Sequence, residues 1–119
     1  MLTFIDLNAT NVIGIRLDGT IDTQEFDAVT KRMNQIVEDY GDIRIYIELV
    51  SFKGISLKGL IEDLKFGIKN WNRFAKQAVV TEKKWVKKWA GFGNKIGPDM
   101  NVKVFSFDEQ EEAKKWIQE

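Results

Sequence analysis

Residues 52–96 read FKGISLKGLIEDLKFGIKNWNRFAKQAVVTEKKWVKKWAGFGNKI, and the periodicities in this stretch decide the fold class. Leu57, Leu60, Ile61, Leu64, Ile68 and Trp71 fall at helical spacing and make one continuous apolar stripe, with Ser56 as the expected N-cap. Gln77–Val80 is a short apolar run of strand character. After Thr81, a second helical pattern places Trp85, Val86, Trp89, Phe92 and Ile96 on one face and Lys83, Lys84, Lys87 and Lys88 on the other. Gly91, Gly93 and Gly97-Pro98 weaken its end. Helix, buried strand, helix is the grammar of an α/β protein.

Working outward, Ile43, Ile45, Ile47 and Leu49 alternate with Arg44, Tyr46 and Glu48, which predicts a central strand with at least one buried face. Before it, Phe26, Val29, Met33, Ile36, Val37 and Tyr40 recur at helical spacing. Asp22 and Glu25 have capping-box spacing at the start of that helix, and Gly41 stops it. At the amino end, Leu2–Leu7 and Val12–Leu17 flank the polar turn Asn8–Asn11, the pattern of an antiparallel hairpin. Downstream, Val102–Phe107 is a last strand, and Asp108 is the expected cap of a closing helix with Ala113, Trp116 and Ile117 facing inward. The order ββαβαβαβα predicts one α/β domain over residues 1–119, with a mixed, mostly parallel sheet packed with helices.

Composition narrows the chemistry. The 119 residues contain no cysteine and no histidine. Disulfides, thiolate nucleophiles, His-dependent triads and the usual zinc ligands are therefore excluded. Glu62 and Asp63 are adjacent, so on a helix they diverge by about 100° and form no acid–base pair. Gly91-Phe-Gly93-Asn94 lacks the form of a phosphate-binding loop. A non-catalytic protein without cofactor or metal is expected. No run approaches the ~20 apolar residues of a membrane span, and no signal peptide is legible, so a cytoplasmic protein is expected.

Net charge is zero but unevenly spread. Residues 65–95 carry 9 Lys/Arg against 1 Asp/Glu, whereas residues 1–64 carry 6 against 11. A basic helix with Trp on its other face has the composition of one lying on an anionic membrane, although an ordinary surface helix with solvated lysines has the same pattern. The Leu57–Trp71 stripe is in the first instance core; it becomes a ligand wall when the two helices part. Trp71, Phe74, Trp85, Trp89 and Phe92 would then offer an aromatic-lined cleft suited to a nonpolar ligand. Phe66 lies off the stripe and asks for a contact outside it, in a dimer or under a lid. Stacking on nucleic acid is disfavoured, because the Trp positions share the face the core needs.

The segment Glu62-Asp63-Leu64-Lys65-Phe66, the strand Ala78-Val79-Val80, Glu82-Lys83-Lys84-Trp85, Val102–Asp108 and Glu112–Ile117 together resemble the SpoIIAA-like bacterial family, itself similar to STAS domains and more distantly to the CRAL-TRIO lipid-carrier fold. The resemblance runs through essentially the whole chain. It implies a STAS-like fold, a homodimer, and middle helices that open to bind nonpolar molecules or lipid, with peripheral association at the inner face of the membrane. Related anti-sigma-factor antagonists are phosphorylated in an Asp-Ser-Ser-Gly-Leu-like turn. The matching residues here are Ser56-Leu57-Lys58-Gly59-Leu60, so the acceptor is replaced, and phosphorylation at Ser51 or Ser56 would need a shifted site. The family's longer Lys-Pro-Phe-like segment is also replaced, by Gly91–Ile96. A protein-interaction regulator lacking the usual phosphoserine is the alternative. The site residues expected from these readings are Leu57, Leu60, Ile61, Leu64, Ile68, Trp71, Trp85 and Trp89 for an apolar pocket, Lys83, Lys84, Lys87 and Lys88 for a membrane, and Phe66 for a dimer or lid contact.

Overall fold

Strand β3 (Ile43–Phe52) lies at the centre of the computed structural model, which describes residues 1–52, 74–82 and 101–119. Its alternation predicts at least one buried face, and both are buried: Ile43, Ile45, Ile47 and Leu49 on one side, Tyr46 and Glu48 on the other. A strand with neighbours on both edges and a helix on each face has no solvent side. β3 pairs in parallel with β2 (Val12–Gly19) and with β4 (Phe74–Thr81), and β4 pairs in parallel with β5 (Asn101–Ser106). Among the described strands only β1 (Leu2–Ile5) is antiparallel, forming the expected hairpin with β2. The five-stranded sheet therefore has the order β1-β2-β3-β4-β5.

Gly14 in β2 stands opposite Ile5 in β1. A Cβ there would come within 2.5 Å of the Ile5 carbonyl oxygen, so close approach of the two strands requires glycine.

Helix α1 (Thr23–Tyr40) connects β2 to β3. Asp22 accepts from the Glu25 amide at 2.7 Å while Glu25 accepts from the Asp22 amide, the reciprocal cap the spacing predicts. Gly41 closes the helix at φ 85°, a left-handed conformation that glycine adopts without strain. Val29, Met33, Ile36 and Val37 press onto Ile13, Ile15, Leu17, Ile45, Ile47 and Leu49. Full burial of each such side chain contributes about 1.5–3 kcal/mol. Tyr40, placed on this stripe by its spacing, is exposed in the last turn.

The opposite face is covered by α2 (Gln110–Gln118), whose Ala113 and Ile117 pack with Leu7, Val12, Tyr46, Ala78, Val80 and Phe105. Trp116 is only half-buried against this cluster. The expected Asp108 cap is corrected: Ser106 caps a 3₁₀ turn over Phe107–Glu109, with Glu109 completing the capping box, and α2 follows that turn. The side chain three residues after Ser106 reaches back to its amide, so the cap sits two residues earlier than a reading from Asp108 places it.

The helices expected over Leu57–Trp71 and Glu82–Ile96 lie outside the described residues apart from Glu82. The strands on either side of them are present, and β4 is longer than the Gln77–Val80 run that announces it.

Candidate functional site

Parallel strands β2 to β5 end on the same edge of the sheet, and in open α/β sheets the carboxyl edge is where loops and ligands gather. The ends of β2 and β3 are tied by Ser51. Its hydroxyl donates to Asp18 Oδ1 at 2.7 Å and accepts from the Gly19 amide at 2.9 Å. The register shifts at Leu17/Asp18, and this hydroxyl bridges the gap. Ser51 therefore has a structural occupation. At the end of β5, Ser106 Oγ lies against the carboxylates of Asp108 and Glu109, and its single proton serves one of them at a time.

The face under α2 carries most of the described buried polarity. Glu48 is 1% exposed. It accepts from Arg16 Nε at 2.9 Å and from the Tyr46 hydroxyl at 2.6 Å, and Arg16 Nη2 approaches to 2.8 Å. A buried carboxylate survives only with such partners. Burial, and then the hydrogen bond to Glu48, push the Tyr46 phenol far above its ordinary value. It stays protonated and donates; it does not act as a base. Two further cations of this face hold the last turn of α2: Arg44 Nη1 donates to the Ile117 carbonyl at 3.0 Å and Lys76 Nζ to the Trp116 carbonyl at 3.1 Å. Both satisfy carbonyls at the negative end of the helix. Lys76 Nζ also sits 4.8 Å from the centre of the Trp116 ring, and Lys103 Nζ 5.8 Å from it. These groups are engaged with one another or with the end of α2, except that Arg44 Nε is buried without a hydrogen-bond partner among the described residues.

The face under α1 differs. Gln77 faces the same side as Ile45 and Val79, beside Val102 on β5. It is fully buried, and neither Oε1 nor Nε2 has a hydrogen-bond partner among the described residues. An unsatisfied buried polar group costs about 1–3 kcal/mol. The spacing of Gln77–Val80 marked a buried strand, but nothing in the sequence distinguished this amide from one pointing to solvent.

The sequence-derived site residues Leu57, Leu60, Ile61, Leu64, Phe66, Ile68, Trp71, Lys83, Lys84, Trp85, Lys87, Lys88 and Trp89 all lie outside the described residues. Among the described residues no group of three or more acidic side chains is placed to hold a metal ion, and no helix is long and apolar enough to cross a membrane.

A mixed five-stranded sheet with a leading hairpin, a helix on each face and sequential parallel strands defines a STAS-like α/β domain. The SpoIIAA-like family matches residues 12–118, and the chain belongs to that family. Its fold is similar to the crystal structure of an uncharacterised protein of the DUF3478 family, with a SpoIIAA-like fold, from Shewanella loihica PV-4. The TM-score is 0.63 at 17% identity, covering 98% of this chain and 92% of that one, which is a likeness of fold. No curated protein matches the chain.

Proposed function

We propose that the protein is a non-catalytic binding domain that takes up a nonpolar small molecule or lipid reversibly and associates with anionic membrane surfaces. The observation that carries this reading is the sequence that follows β4. Directly after its carboxyl end at Thr81, Lys83, Lys84, Lys87 and Lys88 alternate with Trp85 and Trp89 at helical spacing, within a segment whose basic residues outnumber acidic ones 9 to 1. Lysines near an anionic surface contribute about 1 kcal/mol each, and the tryptophans supply apolar area. The Leu57–Trp71 stripe follows β3 in the sequence and would supply the remaining apolar wall. In the proposed mechanism the two segments swing from the sheet, Leu57, Leu60, Ile61, Leu64, Ile68, Trp71, Trp85 and Trp89 receive the ligand, and Phe66 seals a dimer or lid contact. A binding role is also supported by the buried ionisable groups Tyr46 and Glu48, which are committed to each other and to Arg16.

Flotation with phosphatidylglycerol and phosphatidylcholine vesicles tests the membrane part. Binding to the anionic vesicles at low salt is expected, with loss when Lys83, Lys84, Lys87 and Lys88 are all changed to Gln. Native mass spectrometry of freshly purified protein tests the ligand part and reports the homodimer in the same spectrum. Absence of both vesicle binding and retained lipid would overturn the reading.

Membership of the SpoIIAA-like family favours a second reading, a protein-interaction regulator related to anti-sigma-factor antagonists but without their phosphoserine turn. A pull-down that recovers a stoichiometric protein partner, with no lipid retained, would select it.

A further inference from the structure

Three cations cross the α2 face of the sheet, one on each of three neighbouring strands. Arg44 on β3 is the register partner of Lys76 on β4, and Lys103 on β5 stands opposite Ala78, the next residue of β4 on that face. Trp116 of α2 joins them, with Lys76 Nζ 4.8 Å and Lys103 Nζ 5.8 Å from its ring centre. None of the three forms an ion pair among the described residues, and the carboxylate of this face, Glu48, is held by Arg16 and Tyr46. Like charges on adjacent strands repel until an opposite charge joins them. Holding the end of α2 explains part of the arrangement, since Arg44 Nη1 and Lys76 Nζ each donate to one of its carbonyls. It does not explain the rest. An ammonium has three donors, and Lys76 spends one of them on that carbonyl. Arg44 Nε is buried with no partner among the described residues. Lys103 is exposed and makes ring contacts alone, to Trp116 and, at 5.3 Å, to Phe105. The helix end needs neither Lys103 nor a third positive charge.

We propose that Lys76 and Lys103, beside the Trp116 ring, form a binding site for a compact dianion, the phosphate group of a phosphomonoester. The two ammoniums donate to phosphate oxygens, and Arg44 adds its charge from the adjacent strand while it continues to hold the helix. Three positive charges favour a dianion over a monoanion such as a carboxylate, because the attraction scales with the product of the charges. Lysine meets phosphate as a point charge, so the two side chains need no fixed fork geometry to share it. The half-buried indole lowers the dielectric beside both ammoniums and strengthens the attraction. A soluble phosphomonoester and a lipid such as phosphatidic acid present the same group. The site uses none of the residues assigned to the nonpolar ligand or to the membrane, so the two readings stand or fall separately.

The test is an NMR titration of the isotope-labelled full chain with glycerol phosphate, with acetate and with chloride at matched ionic strength, for the wild type, Lys103→Gln and Lys103→Glu. Lys103 makes no contact with the carbonyls of α2, so both variants keep the cap that Arg44 and Lys76 provide. In the wild type, glycerol phosphate should give saturable shifts at the Trp116 indole N–H and at the Lys76 and Lys103 amides, acetate should bind more weakly, and chloride should give no saturation. Lys103→Gln should weaken glycerol phosphate binding about fivefold, the effect of one exposed ion pair. Lys103→Glu should abolish saturation. Flotation of the wild type and Lys103→Glu with phosphatidic acid and phosphatidylglycerol vesicles separates the two sources of the group. Loss with phosphatidic acid alone assigns it to a lipid head, and flotation equal to the wild type assigns it to a soluble phosphomonoester. Absence of saturable shifts in the wild type, equal affinity for acetate and glycerol phosphate, or unchanged affinity in Lys103→Gln each overturns the inference and leaves the nonpolar-ligand reading untouched.

Discussion

The two faces of one sheet treat polarity in opposite ways. Under α2, Arg16, Arg44, Tyr46, Glu48 and Lys76 each make at least one hydrogen bond, to a neighbouring side chain or to the end of the helix. Under α1 the buried side chains of β2 and β3 are all aliphatic, and Gln77 of β4 stands among them with no described partner. Charge is tolerated on the first face because most of its polar atoms find a donor or acceptor nearby, Arg44 Nε being left without one among the described residues. On the second, a single neutral amide is unexplained by folding. A buried charge engaged by its neighbours, as Glu48 is, is therefore a poor marker of function here.

The largest expected effect breaks the aliphatic face. Ile47→Ala should cost about 2–5 kcal/mol in urea unfolding, since it leaves a cavity between β3 and α1 at a fully buried position. A loss well below 1 kcal/mol would mean that this face collapses onto the void and is less tightly built than its burial indicates.

On the other face, Tyr46→Phe should cost roughly 1.5–3 kcal/mol, because it removes a hydrogen bond to a charged group and leaves Glu48 with Arg16 alone. The same variant sharpens the comparison through pH. The phenol is raised in the folded protein above its ordinary value of 10.0. Its contribution is complete below that value and is lost as pH rises beyond it, because the unfolded chain releases the proton first. Wild-type stability should therefore fall above about pH 10 more steeply than that of Tyr46→Phe. Identical slopes would show that the phenol is not the group being held.

Gly14→Ala should cost about 1–3 kcal/mol, with β1 as the element that gives way, since the new methyl meets the Ile5 backbone. Hydrogen exchange confined to Leu2–Ile5 and its partner strand would confirm the place of the strain.

Asp22→Ala, at the start of α1, should cost about 1 kcal/mol through loss of the cap. Glu25 of the same box is held below its ordinary carboxyl value of 4.5, first by the Leu2 amide and then by the Asp22 amide. That contribution is present above the ordinary value and fades as pH falls through the lowered one, so Glu25→Gln should flatten the acid limb of the stability curve. An unchanged acid limb would remove Glu25 from the account.

Much of the fold was legible because much of it is local. The capping box of Asp22 and Glu25, the glycine that ends α1 and the period-2 run of β3 are each written within a few residues. Each forms wherever the chain has that pattern and a surface to pack on. The Ser106 cap was missed by two residues because Ser106 and Asp108 both precede an acidic run, and only the backbone chooses which of them caps the turn. The expected pocket, membrane and dimer residues remain proposals resting on sequence pattern.

The sequence by itself determined the order of the described elements, the α/β class, the family and the absence of thiol and imidazole chemistry, since these depend on composition and short-range periodicity. Only the tertiary structure decided that Tyr46 and Glu48, which alternate with isoleucines like solvent-facing residues, are buried, with Glu48 bonded both to Tyr46 and to Arg16 of a neighbouring strand. It alone placed Gln77 beside Ile45 and Val102 with no described partner. Side-chain alternation tells which residues share a face, but whether that face meets water, a helix or a ligand depends on strands and helices distant in the chain.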